Sequence, residues 1–369
     1  MSDLTEAFRA RILAASPAAP LCIRGGGSKD FHGNEPRGEP LDTHAHTGVL
    51  AYEPTELVIT ARSGTPLAAI EALLAEQGQC LAFEPPRFGA DSTIGGVVAA
   101  GLSGPRRVSA GAVRDFVLGV KILDGAAREL NFGGQVMKNV AGYDVSRVMA
   151  GSLGTLGLLL EISLKVLPRP VAEATLRFEL PQAAALDKLN RWAGQPLPMV
   201  ASAWQDGMLS VRLAGARAAI AAAEQMLGGE KVGAGEGLAS HQQKVGAGET
   251  ALFWDGLRDQ SANYFAGAAP LWRLSVPSVA PVIDLPGATL IEWGGAQRWL
   301  RSIAPADEIR AAAAKVGGSA TLFRADPALK AAGGAFTPLP LPLLNLQRRL
   351  KQTFDPHGIF NPGRMYAEL

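Results

Sequence analysis

Apolar positions recur at helical spacing over about 3–15, within MSDLTEAFRARILAAS, and the run LCIR at about 20–24 then reads as a short strand. LVITAR (57–62) is a second apolar run of strand length. GTPLAAIEALLAEQG follows it with the period of a helix, Thr65 as N-cap, Pro66 at the first helical position and Gly78 as the stop. The stretch from Phe83 to Gly125 is long, Gly-rich and poor in helix signals until FVLGVKILD, which reads as a strand, as does LEISLKVL (160–167).

The texture changes from about 171. ATLRFEL predicts a strand, PQAAALDKLNRWA a helix, and MVASAWQDGMLSVRL a hairpin turning at Asp206-Gly207. AGARAAIAAAEQMLGG predicts a helix ended by glycines. LWRLSVP, ATLIEWGG and SATLFRA then read as strands, with the helix ADEIRAAAAKVGG before the last. That order predicts an antiparallel sheet covered by helices on one side. A direct repeat, KVGAGE at 231–236 and again at 244–249, reads as a small duplication within a flexible linker over 228–250. The amphipathic helix LPLLNLQRRLKQTF precedes a Pro/Gly-rich tail whose Ile359, Phe360 and Met365 favour docking over fraying.

Composition narrows the class. At 369 residues the chain has room for two cores, and 47 % hydrophobic with 19 % charged residues is ordinary for a globular protein. A formal charge of +1 argues against a nucleic-acid surface. Cys22 and Cys80 are the only cysteines, too few for a disulfide framework or for an iron–sulfur cluster, which takes about four thiolates. They suit a reducing cytoplasm. No signal peptide is read at the N-terminus, and no apolar run approaches the ~18 residues of a membrane span.

Against this background LCIRGGGSKDFHG stands out. Successive glycines turn backbone N–H groups inward and make a nest for an anion, phosphate being the usual guest; the same residues also make a plain surface turn. A Walker loop is excluded because Ser28 precedes Lys29, and no window has the Rossmann GxGxxG spacing.

RGGGS is followed in order by DSTIGGVVAAGLSG (91–104), GAVRDFVLGVKILDG (111–125), KNVAGYDVSRVMAGSLGTLG (138–157) and DPHGIFNPGR (355–364). This series resembles the FAD-binding fold of the vanillyl-alcohol oxidase and p-cresol methylhydroxylase (PCMH) superfamily. The middle of the chain, with FWDGLRD (253–259), LWRLSVP and IEWGGAQRWL (291–300), is similar to the FAD-binding subunits of bacterial glycolate oxidases, the GlcE type. The resemblance implies an α+β chain: a PCMH-type two-subdomain FAD-binding domain over 1–170, a smaller cap domain of antiparallel sheet and helices over 171–335, and a segment 336–369 returning to the FAD domain.

It also implies roles. Gly25, Gly26, Gly27 and Ser28, with Lys29 beside them, would cradle the pyrophosphate of FAD, and Asp91, Ser92, Thr93, Gly95 and Gly96 would form a second loop facing phosphate and ribityl chain. Ser103, Gly104 and Gly111 would lie beside the ring or the phosphates, Gly154 and Thr155 near the adenine, and Asn361 beneath the flavin ring. Ser28 has no nitrogen to attach the flavin and His32 is four residues on, so the FAD is expected to be non-covalent.

Oxidation of a 2-hydroxy acid requires a cation for the carboxylate, an acceptor for the hydroxyl proton, and a flavin for the hydride. Arg273 and Arg298 are candidate carboxylate clamps, or else cation–π partners of the neighbouring tryptophans; Tyr143 is a candidate ring contact, or a buried hydrogen-bonded tyrosine. Trp254, Trp272, Trp293 and Trp299 read as core or interface. His241 is the one histidine of the cap region; His44 and His46 read as solvated loop histidines or as a pair touching a metal, and His357 as a turn residue or a base, and no metal site is assigned. The resemblance implies a complex with a larger FAD-containing subunit and an iron–sulfur subunit, in the cytoplasm and at a membrane only through those partners. A free-standing hydroxy-acid oxidase and a non-catalytic electron-transfer or structural subunit are the competing readings.

Overall fold

In a computed structural model of the chain, residues 4–134, 144–232 and 244–369 are described, with side chains of 244–249 left aside. The chain divides into two units: the first takes 1–102, 111–168 and 326–369, and the second takes 103–110 and 169–325.

In the first unit, α1 (Thr5–Ala14) leads to a parallel pair, β1 (Leu21–Arg24) and β2 (Glu39–Asp42). β3 (Val49–Glu53) and β4 (Val58–Arg62) form a hairpin; α2 (Leu67–Glu76), β5 (Gln79–Cys80) and α3 (Ile94–Ala100) follow. The short helical turn α4 (Arg107–Ala110) belongs to the second unit. The chain then resumes with α5 (Val113–Phe116), β6 (Val117–Leu123), β7 (Glu129–Gly133), β8 (Leu158–Lys165) and β9 (Leu167–Pro168), the last pairing with β5. Five strands make an antiparallel sheet in the order β3-β4-β8-β6-β7. Phe8 and Ile12 of α1, one helical turn apart, meet Leu21, Leu41, Leu158 and Phe360 in a single buried cluster. Each such side chain contributes roughly 1.5–3 kcal/mol by leaving water, so the tail is part of this core.

Two expectations are corrected here. Thr65 does not cap α2: its hydroxyl bonds the backbone of Gly48, and Pro66 takes the cap position. The stretch read as lacking helix holds α3, whose Gly95-Gly96 pair hides it from propensity, while Thr93 caps it by accepting from Gly96 N–H at 3.2 Å.

In the second unit, β10 (Ala172–Glu179), α6 (Gln182–Ala193), β11 (Met199–Gln205), β12 (Met208–Gly215) and α7 (Arg217–Leu227) precede β13 (Glu230–Val232) and α8 (Lys244–Arg258). Then come β14 (Leu271–Ser275), β15 (Ala288–Glu292), β16 (Gln297–Arg301), α9 (Ala306–Lys315) and β17 (Ser319–Arg324). They form an eight-stranded sheet ordered β13-β10-β12-β11-β15-β16-β14-β17. The turn between β11 and β12 has positive φ at both Asp206 and Gly207, as a two-residue hairpin requires. Leu176, Leu209, Val211 and Leu213 face α6 and α7, while Trp272, Leu274, Leu300 and Leu322 face α9. Part of the span read as a linker is ordered, since β13 and the start of α8 lie within 228–250. Trp254, Trp272 and Trp299 are buried and Trp293 is half-buried. The first unit ends with α10 (Pro327–Gly333), α11 (Leu341–Phe354) and the tail.

Candidate functional site

The loop after β1 borders a cleft of ≈ 780 Å³, open mouth included. Its glycines are fixed by packing of protein on protein. A Cβ on Gly25 would stand 2.5 Å from Thr93 Oγ1, and one on Gly26 1.5 Å from the carbonyl oxygen of Asp91. The two Gly-rich loops singled out in the sequence therefore lie backbone against backbone, and the absence of side chains is what lets them meet. Lys29, itself buried, spans them: its ammonium donates to Ser92 Oγ at 2.7 Å and to Ser28 Oγ at 3.1 Å.

The tail adds Asn361 and Arg364 to the cleft lining. Leu21 N–H donates to Ile359 O at 2.8 Å, and Asn361 N–H to Leu21 O at 2.9 Å, so the tail continues the β1 pairing. The Asn361 side chain accepts from Ile23 N–H at 2.7 Å and donates to Leu153 O at 2.6 Å. It ties β1 to the turn at Gly154, whose φ of +72° leaves room for no Cβ, since that atom would come 2.8 Å from Asn361 Nδ2. Lys351 anchors the same region through Thr155 O, Phe360 O and Asp355.

Two buried side-chain polar atoms on residues of the cleft lining have no hydrogen-bond partner among the described residues. Ser63 Oγ is one, on a residue 2 % exposed; Arg364 Nη1 is the other, on a residue 6 % exposed. Arg364 Nη2 donates to the carbonyls of Asp30 at 2.9 Å and Lys29 at 3.4 Å. Burial pushes its guanidinium pKa down, with Asp30 opposing. Burial likewise raises the thiol of Cys22, which lines the same cleft.

Of the residues singled out as cofactor-binding, Gly25, Gly26, Gly27, Ser28 and Lys29 line this cleft. So do Thr93, Gly95, Gly96, Gly154 and Asn361. Asp91 and Ser92 sit just behind, as the contact surface of the glycine loop and the Lys29 acceptor. Thr155 is turned away, its hydroxyl donating to Ser152 O at 2.7 Å. Gly111 has a φ of +107° beside Asp115 and is not in the lining. Ser103 and Gly104 belong to the second unit, where the Gly104 carbonyl accepts from Trp293 Nε1 at 3.1 Å. Arg364 and Ser63 were missed in the sequence. Arg364 had a signal, an arginine closing the docked NPGR turn; Ser63, one residue past a strand, had none.

The two arginines of the second unit part company. Arg273 pairs with Trp299 across β14 and β16, and Arg298 pairs with Leu274, so they project from opposite faces of the sheet. Arg298 lies on the helix-covered face, 2 % exposed, donating to the carbonyls of Ala280 and Pro281, both at 2.5 Å, and to Gly295 O at 3.2 Å. Those bonds hold a loop, on the face of the sheet opposite Arg273. Arg273 makes no hydrogen bond or ion pair among the described residues. It rests 5.7 Å from the Phe323 ring, and burial, reinforced by the charge of Arg107, lowers its pKa to about 10. On that face Glu292, 2 % exposed, accepts from Trp299 Nε1 at 2.6 Å and Gln297 Nε2 at 3.1 Å. Tyr143 and His241 lie outside the described residues.

Comparison with known proteins gives the geometry a lineage. The family described as "FAD binding domain" matches residues 6–133, and "FAD linked oxidases, C-terminal domain" matches 341–365, the stretch carrying Asn361 and Arg364. The chain is 49 % identical to the glycolate oxidase subunit GlcE of Escherichia coli (strain K12) over 96 % of its own length and 95 % of that protein. The chain belongs to the GlcE family. Within the wider family of FAD-linked oxidoreductases, it is 29 % identical to the glycolate oxidase subunit GlcD of Bacillus subtilis (strain 168), over 46 % of this chain and 37 % of that one. The solved structure of an alkyldihydroxyacetonephosphate synthase covers 97 % of this chain, and this chain 74 % of it, with a TM-score of 0.63 at 15 % identity, which shows the PCMH-type fold.

FAD is the cofactor of this GlcE-family chain, and the cleft suits it. The unpartnered Arg364 Nη1 and Ser63 Oγ are a donor and a donor–acceptor for polar groups of a ligand. Glycine backbone offers N–H groups without side chains in the way. When bound, FAD supplies a two-electron acceptor for hydride.

Proposed function

We propose that this chain is the FAD-binding subunit of a glycolate oxidase complex, in which a 2-hydroxy acid is oxidised to the 2-oxo acid. The observation carrying this reading is the 49 % identity to GlcE over nearly the full length of both chains. In the reaction the Cα–H and O–H bonds of the hydroxy acid break and a carbonyl forms; bound FAD would supply the acceptor for the hydride, and a base or solvent would take the proton. Arg273 receives the substrate carboxylate, since its guanidinium is desolvated and uncommitted and so favours an anion.

Its partners are a larger FAD-containing subunit and an iron–sulfur subunit. Two cysteines are too few to hold a cluster, so an iron–sulfur relay for electrons from this flavin would belong to another chain. The complex works in the cytoplasm and meets a membrane through those partners; among the described residues no helix is long and apolar enough to cross one. A second reading, an electron-carrying subunit without a substrate of its own, draws support from Arg298 and Glu292, both engaged with other groups of the chain.

One experiment separates them. The full chain, purified with its flavin, is mixed with glycolate under anaerobic conditions, alone and with the partner subunits. Bleaching by the chain alone assigns it the substrate site. Bleaching only with partners makes it the electron carrier, and an unbleached flavin in the whole complex rejects the glycolate oxidase reading.

A further inference from the structure

We propose that Arg364 is the resident counter-cation for the FAD diphosphate. This rests on FAD being the ligand of the cleft and assigns one of its groups to one side chain. Arg364 reaches around from the tail and fastens one end of its guanidinium to the carbonyls of Lys29 and Asp30, the residues that close the glycine loop. The other end, Nη1, is buried and has no partner among the described residues, on a side chain that belongs to the cleft lining.

Charge selects the group. The ionisable side chains lining the cleft, cysteine aside, are Arg24, Lys29, Arg364 and Asp30. Arg24 is tied to Asp30 at 2.7 Å, and the lining as a whole sets three cations against one carboxylate. A diphosphate diester carries two negative charges, while ribityl chain, adenine and oxidised flavin ring carry none at neutral pH. Burying a guanidinium whose hydrogen bonds go to neutral carbonyls is costly, only partly offset by the nearby Asp30, and an anion arriving at Nη1 relieves that cost. The glycine N–H groups shape the cradle; Arg364 gives it charge.

The test is flavin titration of the full chain freed of its FAD, followed by fluorescence, with FAD and with riboflavin, which has no diphosphate. Arg364→Gln keeps a donor for the loop carbonyls and removes the charge. It is expected to weaken FAD about tenfold or more, as loss of a charge-assisted bond does, to flatten the salt dependence of FAD affinity, and to change riboflavin affinity less than about twofold. Equal losses for both flavins, or no loss for either, overturn the assignment. Should the glutamine variant fail to fold, Arg364→Lys decides: retained FAD affinity supports it, and a loss shared with riboflavin rejects it. A wild-type chain that takes up no FAD refutes the flavin reading itself, a result distinct from any of these.

Discussion

Gly26 has a Cβ position only 1.5 Å from the Asp91 carbonyl, closer than any contact permits. Gly26→Ala is therefore expected to push the two loops apart and yield a chain with less than about a tenth of the wild-type flavin content, measured as absorbance per protein after gel filtration. Gly194→Ala is the contrast: outside the cleft, at φ −84°, its Cβ would sit 3.8 Å from Arg191 O, and flavin content is expected to stay within about twofold. The sequence offered the glycines as cradle for a ligand; it held no sign that their nearest neighbour is another loop. Arg273 and Arg298 make a second pair. In the assembled complex Arg273→Met is expected to raise the KM for glycolate about tenfold or more with little change in Tm. Arg298→Met strands carbonyls in the interior and is expected to cost roughly 3 kcal/mol of stability in denaturant titration, with KM unchanged.

Elements with strong periodicity were legible: β1, β4, β6, β8, α6, α7, α9 and α11 are where the apolar spacing puts them. Those missed have physical reasons. α3 carries two glycines, and β16 is QRWLR, with a buried arginine on a face where apolar residues are the rule. Parity between β14 and β16, which separates the arginines, depends on a register that no single strand reveals. The turn holding Tyr264 carries a pH signature. Its hydroxyl donates to Ala288 O at 2.9 Å; burial raises its pKa, opposed by the nearby Arg301, whose Nε donates to the Tyr264 carbonyl. An unfolded tyrosine loses its proton near pH 10 while the folded one keeps it. The unfolded state then binds fewer protons, so stability falls as pH rises past that value, by up to about 1.4 kcal/mol per pH unit. Denaturation midpoints between about pH 9 and pH 11 are expected to fall more steeply for the wild type than for Tyr264→Phe, with parallel curves below that range.

At the scale of the molecule each unit has its own buried clusters. The cleft is lined entirely from the first unit. Calorimetry is expected to resolve two transitions, of which added FAD raises one, by about 2.7 kcal/mol at a hundredfold excess over Kd; a single transition raised as a whole would mean the units unfold as one. Composition shifts near 170 marked the passage between units in the sequence. The eight residues 103–110 that join the second unit were invisible, because their claim is made by contacts, Arg106 to Glu173 and Ser109 to the Val200 carbonyl, and by no pattern of their own.

The pairing of β1 with the tail sets an order of events during synthesis. Ile23 leaves the ribosome early, yet the Asn361 side chain that accepts its N–H lies 338 residues downstream. Phe360, fully buried against Phe8 and Leu21, belongs to the same late stretch. Through most of translation the glycine loop is thus present without the tail, and the second unit is completed before the first can close. Cofactor loading is expected to wait for the end of the chain: a polypeptide stalled before the NPGR turn holds every glycine of the cradle and lacks Asn361 and Arg364.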